Sequence, residues 1–122
     1  MGYQHVVLDD VEPTPDRPCT RRSISETADL DNVAVNVYEP EPGEAIPLAY
    51  HYHDEQEEVF YVVAGELSVE TPEGTHVVAA NEAFVVEPDS PQRAFVAEDA
   101  DGAARVLAVG APAVDDVHPY EP

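Results

Sequence analysis

Short apolar runs separated by turn-forming residues fill the chain from Asn32 onward, and this pattern constrains the fold more than any other feature. The runs are rich in β-branched and aromatic residues, and none shows a 3.6-residue apolar period. They are VAVNVY (33–38), PLAYHYH (47–53), EVFYVVA (58–64), ELSVET (66–71), THVVAA (75–80), AFVVEP (83–88), QRAFVA (92–97) and ARVLAVGA (104–111). Short strands at this spacing are typical of antiparallel sandwiches and barrels, so the pattern predicts an all-β domain.

The two ends of the chain lack this regularity. Residues 1–31 are predicted to form an N-terminal arm, in which HVVL (5–8) could be one short strand and the Pro-rich stretch 9–23 is loop. Residues 112–122 are rich in Pro and Asp and are predicted to form a C-terminal tail along the surface. The predicted organisation is therefore an arm, one barrel domain over residues 32–111, and a tail.

The charge balance is strongly acidic. The 122 residues include 26 Asp and Glu but five Arg and no Lys, which gives a formal net charge of -21 at pH 7. Such a domain repels itself in dilute buffer, and salt near 1 M shortens the Debye length to about 3 Å and removes most of that repulsion. The composition favours a protein adapted to a salt-rich cytoplasm, the alternative being an acidic surface for a partner protein. It excludes nucleic acid as an expected partner, because phosphates need a basic face.

Nothing in the sequence indicates a membrane span or export. There is no run of about 18 apolar residues, and the N-terminus lacks the basic start and apolar stretch of a signal peptide. Cys19 is the only cysteine, so no internal disulfide can form. We expect a cytoplasmic protein without a membrane partner.

Two histidines and a nearby acid form the candidate site. Side chains alternate across a strand, so His51 and His53 point the same way, and a short connection would bring Glu58, on the next strand, close to them. The same alternation turns Glu57 toward solvent. Two imidazoles and a carboxylate suit a divalent transition metal such as Fe, Mn, Ni, Co or Zn, and they are also the ligand set of non-haem iron oxygenases.

This segment resembles the first motif of the cupin superfamily, G-x5-H-x-H-x3,4-E-x6-G. The matching residues here are Gly43, His51, His53, Glu58 and Gly65, with two extra residues between the first glycine and the first histidine. The resemblance implies a single-domain jelly-roll β-barrel in which the two histidines and the glutamate are metal ligands. The spacing to Gly65 also selects Glu58 as the acidic ligand.

The second cupin motif, G-x5-P-x-G-x2-H-x3-N, is matched poorly by residues 81–95. Asn81 and Asp89 stand at its two glycine positions, and Gln92 stands where the family has the histidine that would be the fourth ligand. Two alternatives follow. In the first, a metal is bound and Gln92 is either a weak ligand or a hydrogen-bond donor to a bound water. In the second, Gln92 marks a degenerate site in which the histidines only hydrogen-bond to Glu58.

The remaining polar and aromatic residues are read as structural. His5, His76 and His118 are more simply exposed or packed than ligating. Tyr50, Tyr52 and Tyr61 face away from the histidines. The predicted barrel lining, small and mostly apolar, is Phe60, Val62, Phe84, Val86, Ala94 and Val96.

Strand 58–64 is apolar on both faces. One face must fill the barrel, and the other must be covered by the arm or by a second subunit, which is the basis for expecting a homodimer. The small-molecule partner stays undefined. The resemblance implies either a metal-dependent enzyme, of dioxygenase or isomerase type, or a non-catalytic small-molecule-binding cupin with a degenerate metal site.

Overall fold

Ten β-strands build the protein in the computed structural model, which describes residues 2–47 and 49–121. Met1, Leu48 and Pro122, which belong to the predicted arm, strand 47–53 and tail, lie outside the described residues. The strands are β1 Thr20–Ser23, β2 Ala34–Glu39, β3 His51–His53, β4 Glu57–Ala64, β5 Glu66–Thr71, β6 Gly74–Ala79, β7 Ala83–Val86, β8 Arg93–Phe95, β9 Arg105–Ala111 and β10 Val117–Pro119. A 3-10 helix, Leu8–Asp10, and one short α-helix, α1 Ile24–Ala28, precede β2.

The strands form two facing antiparallel layers. One layer is a five-stranded sheet in the order β1-β2-β9-β4-β7, and the other contains the sheet β6-β5-β8 and the pair β10-β3. An antiparallel bridge between His51 and Gln92 links that pair to the neighbouring sheet, with backbone N–H to carbonyl distances of 3.2 and 2.9 Å. The result is a jelly-roll arrangement, and the predicted all-β fold class is confirmed.

All eight predicted strands are present, with ends that differ by a few residues from the apolar runs. The flanks were predicted less well. The stretch 5–8 is not a strand, and β1 forms inside the stretch that was predicted to be loop. The tail likewise contributes β10, which pairs with β3. Both extra strands lie at sheet edges, where backbone pairing does not require an apolar pattern.

The interior between the layers is filled by aliphatic side chains. Leu67, Val62, Val69, Val96 and Val106 are fully buried. Burying a side chain of this size stabilises the fold by about 1.5–3 kcal/mol. Of the predicted barrel lining, five residues are buried and Phe84 is partly buried against the same cluster.

A glycine fixes the turn between β4 and β5. Gly65 has a φ of +79°, and a Cβ at this position would lie 2.7 Å from the carbonyl oxygen of Ala103 and 2.8 Å from Cα of Ala104. Only glycine accommodates both the left-handed backbone and this close approach. The last glycine of the first motif is therefore a structural requirement of the barrel.

No helix within residues 2–47 and 49–121 has the length and apolar character needed to cross a bilayer.

Candidate metal centre

The short strand β3 delivers both histidines to the barrel interior. His51 and His53 are buried, whereas Tyr52 between them is half-buried and stacks on His118 of β10, with ring centroids 5.2 Å apart. Tyr50 packs against Tyr120 with the two rings tilted and their centroids 4.9 Å apart. The alternation expected of a strand thus holds, and the outward tyrosines anchor the C-terminal tail.

Three potential ligands converge at one point. One ligating atom from each of His51, His53 and Glu58 lies within 4.8 Å of the others. Nε2 of His53 lies 3.1 Å from Oε1 of Glu58. Glu57 is exposed while Glu58 borders the interior, as alternation along β4 predicts. Two donors that are each about 2.1 Å from one ion are about 3.0–3.4 Å apart at right-angle or tetrahedral geometry, so the His53–Glu58 separation is compatible with a shared ion.

Both imidazole rings are held by hydrogen bonds from Nδ1. His51 donates to the carbonyl oxygen of Ala49 at 2.9 Å, and His53 donates to Oδ1 of Asp116 at 2.8 Å. Because each Nδ1 carries the donated proton, each Nε2 is the nitrogen available to a ligand. This arrangement, in which an outer acceptor fixes the ring and its tautomer, is usual for metal-binding histidines.

Asp116 is the residue of the candidate site that the sequence did not reveal. Besides the ring of His53, its carboxylate accepts hydrogen bonds from the backbone N–H groups of Glu55 at 2.7 Å and Gln56 at 3.0 Å. It therefore fixes both a candidate ligand and the connection between β3 and β4. In the sequence it is one of many acids in a tail predicted to lie on the surface, and no local pattern distinguishes it.

The two carboxylates around His53 make this point of the interior attractive to cations. The neighbouring carboxylate of Glu58, opposed by burial and assisted by Asp116, raises the pKa of His53 to about 9. Burial acts to raise the pKa of Asp116, but the N–H groups of Glu55 and Gln56 and the His53 ring together lower it to about 2. A positive charge, either a proton or a metal ion, is thus favoured between these groups.

Gln92 stands beside the histidines with an unsatisfied side chain. It is 1% exposed, and it is bridged to His51 through the backbone, so that both side chains lie on the same face of the strand pair. Neither its Oε1 nor its Nε2 has a hydrogen-bond partner among the described residues. A buried amide without partners costs about 1–3 kcal/mol, so this position favours a nearby ion or bound water.

Glu58 also has a buried polar atom without a hydrogen-bond partner among the described residues. Its Oε1 is buried and has no hydrogen bond, because the close approach of His53 Nε2 lacks hydrogen-bond geometry. A buried carboxylate oxygen next to an imidazole nitrogen, with an unpartnered amide nearby, is a donor set that fits a divalent transition metal. His51, His53 and Glu58 would hold the ion, with Gln92 at its side.

Comparison with known proteins agrees with this geometry. The Cupin domain family model matches residues 36–110, which is more than half of the chain.

The chain belongs to the cupin family.

Solved structures give the same fold for this cupin. A sugar phosphate isomerase of the cupin superfamily from Silicibacter pomeroyi superposes with a TM-score of 0.75 at 25% identity, over 88% of this chain and 75% of that protein. The polyketide cyclase RemF from Streptomyces resistomycificus gives 0.80 at 21% identity, over 98% and 87%. A variant of Streptomyces PAC13 with uridine gives 0.74 at 12% identity, over 98% and 92%. No curated protein sequence matches the chain.

The departures of this cupin from the second motif have a backbone explanation. Asn81 and Asp89, at the two glycine positions, have φ angles of 67° and 61°. Asn and Asp tolerate the left-handed region better than other side-chain-bearing residues. The turns of the motif are therefore kept without its glycines, and Gln92 is the departure that replaces the expected fourth ligand.

The candidate metal centre of this cupin opens into a cavity of about 480 Å³. The walls are mostly apolar, and Gly110 leaves room for the side chain of Gln56, since a Cβ there would lie 2.7 Å from it. The cavity is lined by Arg17, Ala34, Asn36, Tyr38, Ile46, Pro47, Ala49, His51, His53, Gln56, Glu58, Phe60, Gln92, Ala108, Gly110, Val114, Val117 and Pro119. Its size and its few convergent polar groups are typical of a small-molecule site.

The other histidines lie outside this cavity. His5 and His76 are exposed, and His76 packs on Phe84 with ring centroids 5.4 Å apart. His118 pairs with Asp54 at 2.6 Å on the surface. Arg93 of β8 forms a surface ion pair with Glu70, at 3.9 Å.

Proposed function

We propose that this cupin holds a divalent transition metal through His51, His53 and Glu58 and acts on a small oxygen-bearing molecule in the adjoining cavity. The observation that carries the proposal is the buried Oε1 of Glu58, which has no hydrogen bond and lies 3.1 Å from Nε2 of His53. Such a pair needs a positive charge, which either a proton on His53 or a metal ion held by both residues supplies.

The ion is one of Fe, Mn, Ni, Co or Zn, because imidazole and carboxylate ligands suit these metals. When bound, it would supply Lewis-acid or redox activation of the substrate oxygen. The chain's own residues do the positioning: Ala49 and Asp116 fix the two rings, and the amide of Gln92 is a weak ligand or orients a water. The apolar walls, including Phe60 and Ile46, restrict water around the substrate.

An isomerase-type reaction is the first candidate. It is supported by the likeness to the sugar phosphate isomerase, which reaches 25% identity over most of both chains. A dioxygenase-type reaction is the other enzymatic candidate, supported by the pairing of two histidines with one carboxylate. The two differ in their need for a redox-active metal, so metal identity separates them.

A non-catalytic small-molecule-binding role is the alternative function. Among the described residues that line the cavity, Tyr38 and Arg17 are the only titratable side chains outside the three candidate ligands. An arginine does not exchange a proton at neutral pH. The cavity therefore offers few groups for general acid–base chemistry, which favours a binding role if the metal site is degenerate.

We also propose that a second copy covers the outer face of β4. Val59, Tyr61 and Val63 are 37%, 38% and 48% exposed, and Val85 of the neighbouring β7 is 63% exposed. The arm does not cover this face, because these side chains stay exposed with the described arm residues in place. A contiguous apolar strip on so acidic a chain favours a homodimer in a salt-rich cytoplasm.

The test is metal content and turnover of protein purified in high salt. Elemental analysis should find about one transition-metal ion per chain, and His51→Ala should lose it, while His5→Ala, an exposed histidine outside the cavity, should retain it. Metal-loaded protein is then assayed for oxygen uptake and for isomerisation of small sugars. One tightly held ion without turnover would favour the binding role, and no ion even after reconstitution would remove the proposal.

A further inference from the structure

Arg17 reaches the cavity from the N-terminal arm. It is one of the residues that line the cavity, and its Nε is buried without a hydrogen-bond partner among the described residues. No described carboxylate lies within ion-pairing distance of it. Three of the other four arginines do have such a partner: Arg21 pairs with Glu26, Arg22 with Glu39 and Arg93 with Glu70.

Arg17 and Arg105 have no ion-pair partner among the described residues, and Arg21 also has a buried Nε without a hydrogen bond. Of the described arginines, Arg17 alone lines the cavity, so its unsatisfied Nε is the one that a ligand in the cavity can reach. Leaving a buried donor without an acceptor costs about 1–3 kcal/mol, and more for a charged group. An acceptor that enters the cavity from outside would remove this cost, and an anionic one would remove most of it.

Asn36 adds a second unsatisfied group to the lining of the cavity. It is 8% exposed, and its Oδ1 is buried without a hydrogen-bond partner among the described residues. It lies on β2, paired with Ala108 of β9, which in turn pairs with Phe60 of β4. Strands are about 4.8 Å apart, so Asn36 lies about 10 Å across the sheet from β4, the strand that carries Glu58.

Small side chains leave room between these two polar regions. Ala34 on β2 and Ala108 on β9 line the cavity, where larger residues would fill it. A ligand can therefore span from the three candidate metal ligands to the arginine. The acceptor atoms of such a ligand would face Arg17, and a hydroxyl group of the ligand would donate to Asn36.

We propose that the cavity recognises a small hydroxylated carboxylate, with the carboxylate bound by Arg17 and a hydroxyl donating to Asn36. A phosphate ester would offer Arg17 the same kind of group as a carboxylate, namely anionic oxygen atoms. A carboxylate fits better, because its planar oxygens match the guanidinium fork and its single charge matches one arginine. This inference deepens the proposed function, since it names the substrate class of the same cavity.

The experiment measures ligand affinity in metal-loaded protein by calorimetry and thermal shift. The probes are a panel of small hydroxy acids. Each acid is matched with its amide and with a phosphate monoester of the same carbon skeleton. We expect the best acid to bind at least about tenfold more tightly than its amide. Arg17→Gln should abolish this preference, and Arg17→Lys should keep part of it, because the charge remains but the fork is lost.

Arg93→Gln is the matched control, because it removes the same charge from an arginine outside the cavity, and it should leave the preference unchanged. Equal binding of acid and amide, no binding across the panel, or a preference that survives Arg17→Gln would overturn the inference. Tighter, Arg17-dependent binding of the phosphate esters would overturn the carboxylate assignment while keeping the arginine as an anion site.

Metal content separates this inference from the proposed function. Arg17→Gln should keep the wild-type metal content, since Arg17 is not one of the candidate ligands. If the wild type binds no metal but still prefers acids through Arg17, the proposed metal chemistry fails and the anion site stands. If metal is bound but acids are not preferred over amides, the anion site fails and the proposed metal chemistry stands.

Discussion

Oδ1 of Asp116 accepts a hydrogen bond of 2.8 Å from Nδ1 of His53, so a residue of the tail orients a candidate ligand 63 positions earlier in the chain. Asp116→Asn should weaken metal binding by about 10–100-fold, the usual range for outer-shell partners of ligating histidines. The reason is that an amide cannot accept from the ring and from the two backbone N–H groups as a carboxylate does. Competition with a chelator measures the change.

Asp115→Asn is the control for this prediction. It removes the same charge from the adjacent, exposed residue and should leave metal affinity unchanged. Equal weakening in both variants would indicate a general charge effect, and no weakening in Asp116→Asn would show that the ring does not need its partner.

Two substitutions of Gln92 should change metal affinity in opposite directions. Gln92→His should tighten metal binding by about tenfold or more, because imidazole is a better ligand for these metals than an amide oxygen. Gln92→Leu should weaken metal binding yet leave the metal-free protein equally or more stable, because it removes two unsatisfied buried polar atoms. Chelator competition and thermal unfolding of both forms measure these effects.

Metal affinity that is unchanged in Gln92→His would contradict this prediction and favour the degenerate site. A metal-free Gln92→Leu protein that is clearly less stable would mean that the amide already has partners in the native state.

The strands and the facing of the ligands were predictable from sequence because each depends on a local rule. Short apolar runs bounded by turn residues located the eight strands, and the alternation of side chains along a strand put His51 and His53 on one face and Glu58, not Glu57, toward the interior. The first motif added the barrel topology through family resemblance. These features need no knowledge of residues far away in the chain.

The missed features depend on contacts between distant segments. Strand β1 carries Arg21 and Arg22 and forms by pairing with β2, so its own side chains give no strand signal. Asp116 reaches the site because β10 pairs with β3, and Arg17 reaches the cavity from a Pro-rich loop. A polar residue in an irregular segment has no periodicity from which its destination can be read.

Stability should depend strongly on salt. The net charge of -21 repels itself at low ionic strength, and raising KCl from about 0.05 to 1 M shortens the Debye length to about 3 Å. We expect the melting temperature to rise by at least about 10 °C over this range, which corresponds to a few kcal/mol for a domain of this size. Calorimetric or fluorescence melts measure the rise. Sucrose is the uncharged control, and an equal rise in sucrose, or none in KCl, would contradict the screening account.

Association in high salt tests the exposed face of β4. Light scattering after gel filtration should give twice the mass of one chain. Val59→Glu should lower this to the mass of a single chain, because a buried, unpaired charge at a dimer interface is costly. Val7→Glu is the control, since Val7 is also exposed but lies in the arm. A monomeric wild type, or a Val59→Glu protein that stays dimeric, would contradict the proposed interface.

The most direct measurement of the central claim is anomalous diffraction from crystals of metal-loaded protein grown in high salt. We predict one peak, bonded to Nε2 of His51, Nε2 of His53 and the carboxylate of Glu58 at about 2.0–2.2 Å. The contradictory result is a map with no ion among these residues after reconstitution, in which His53 simply donates a hydrogen bond to Glu58.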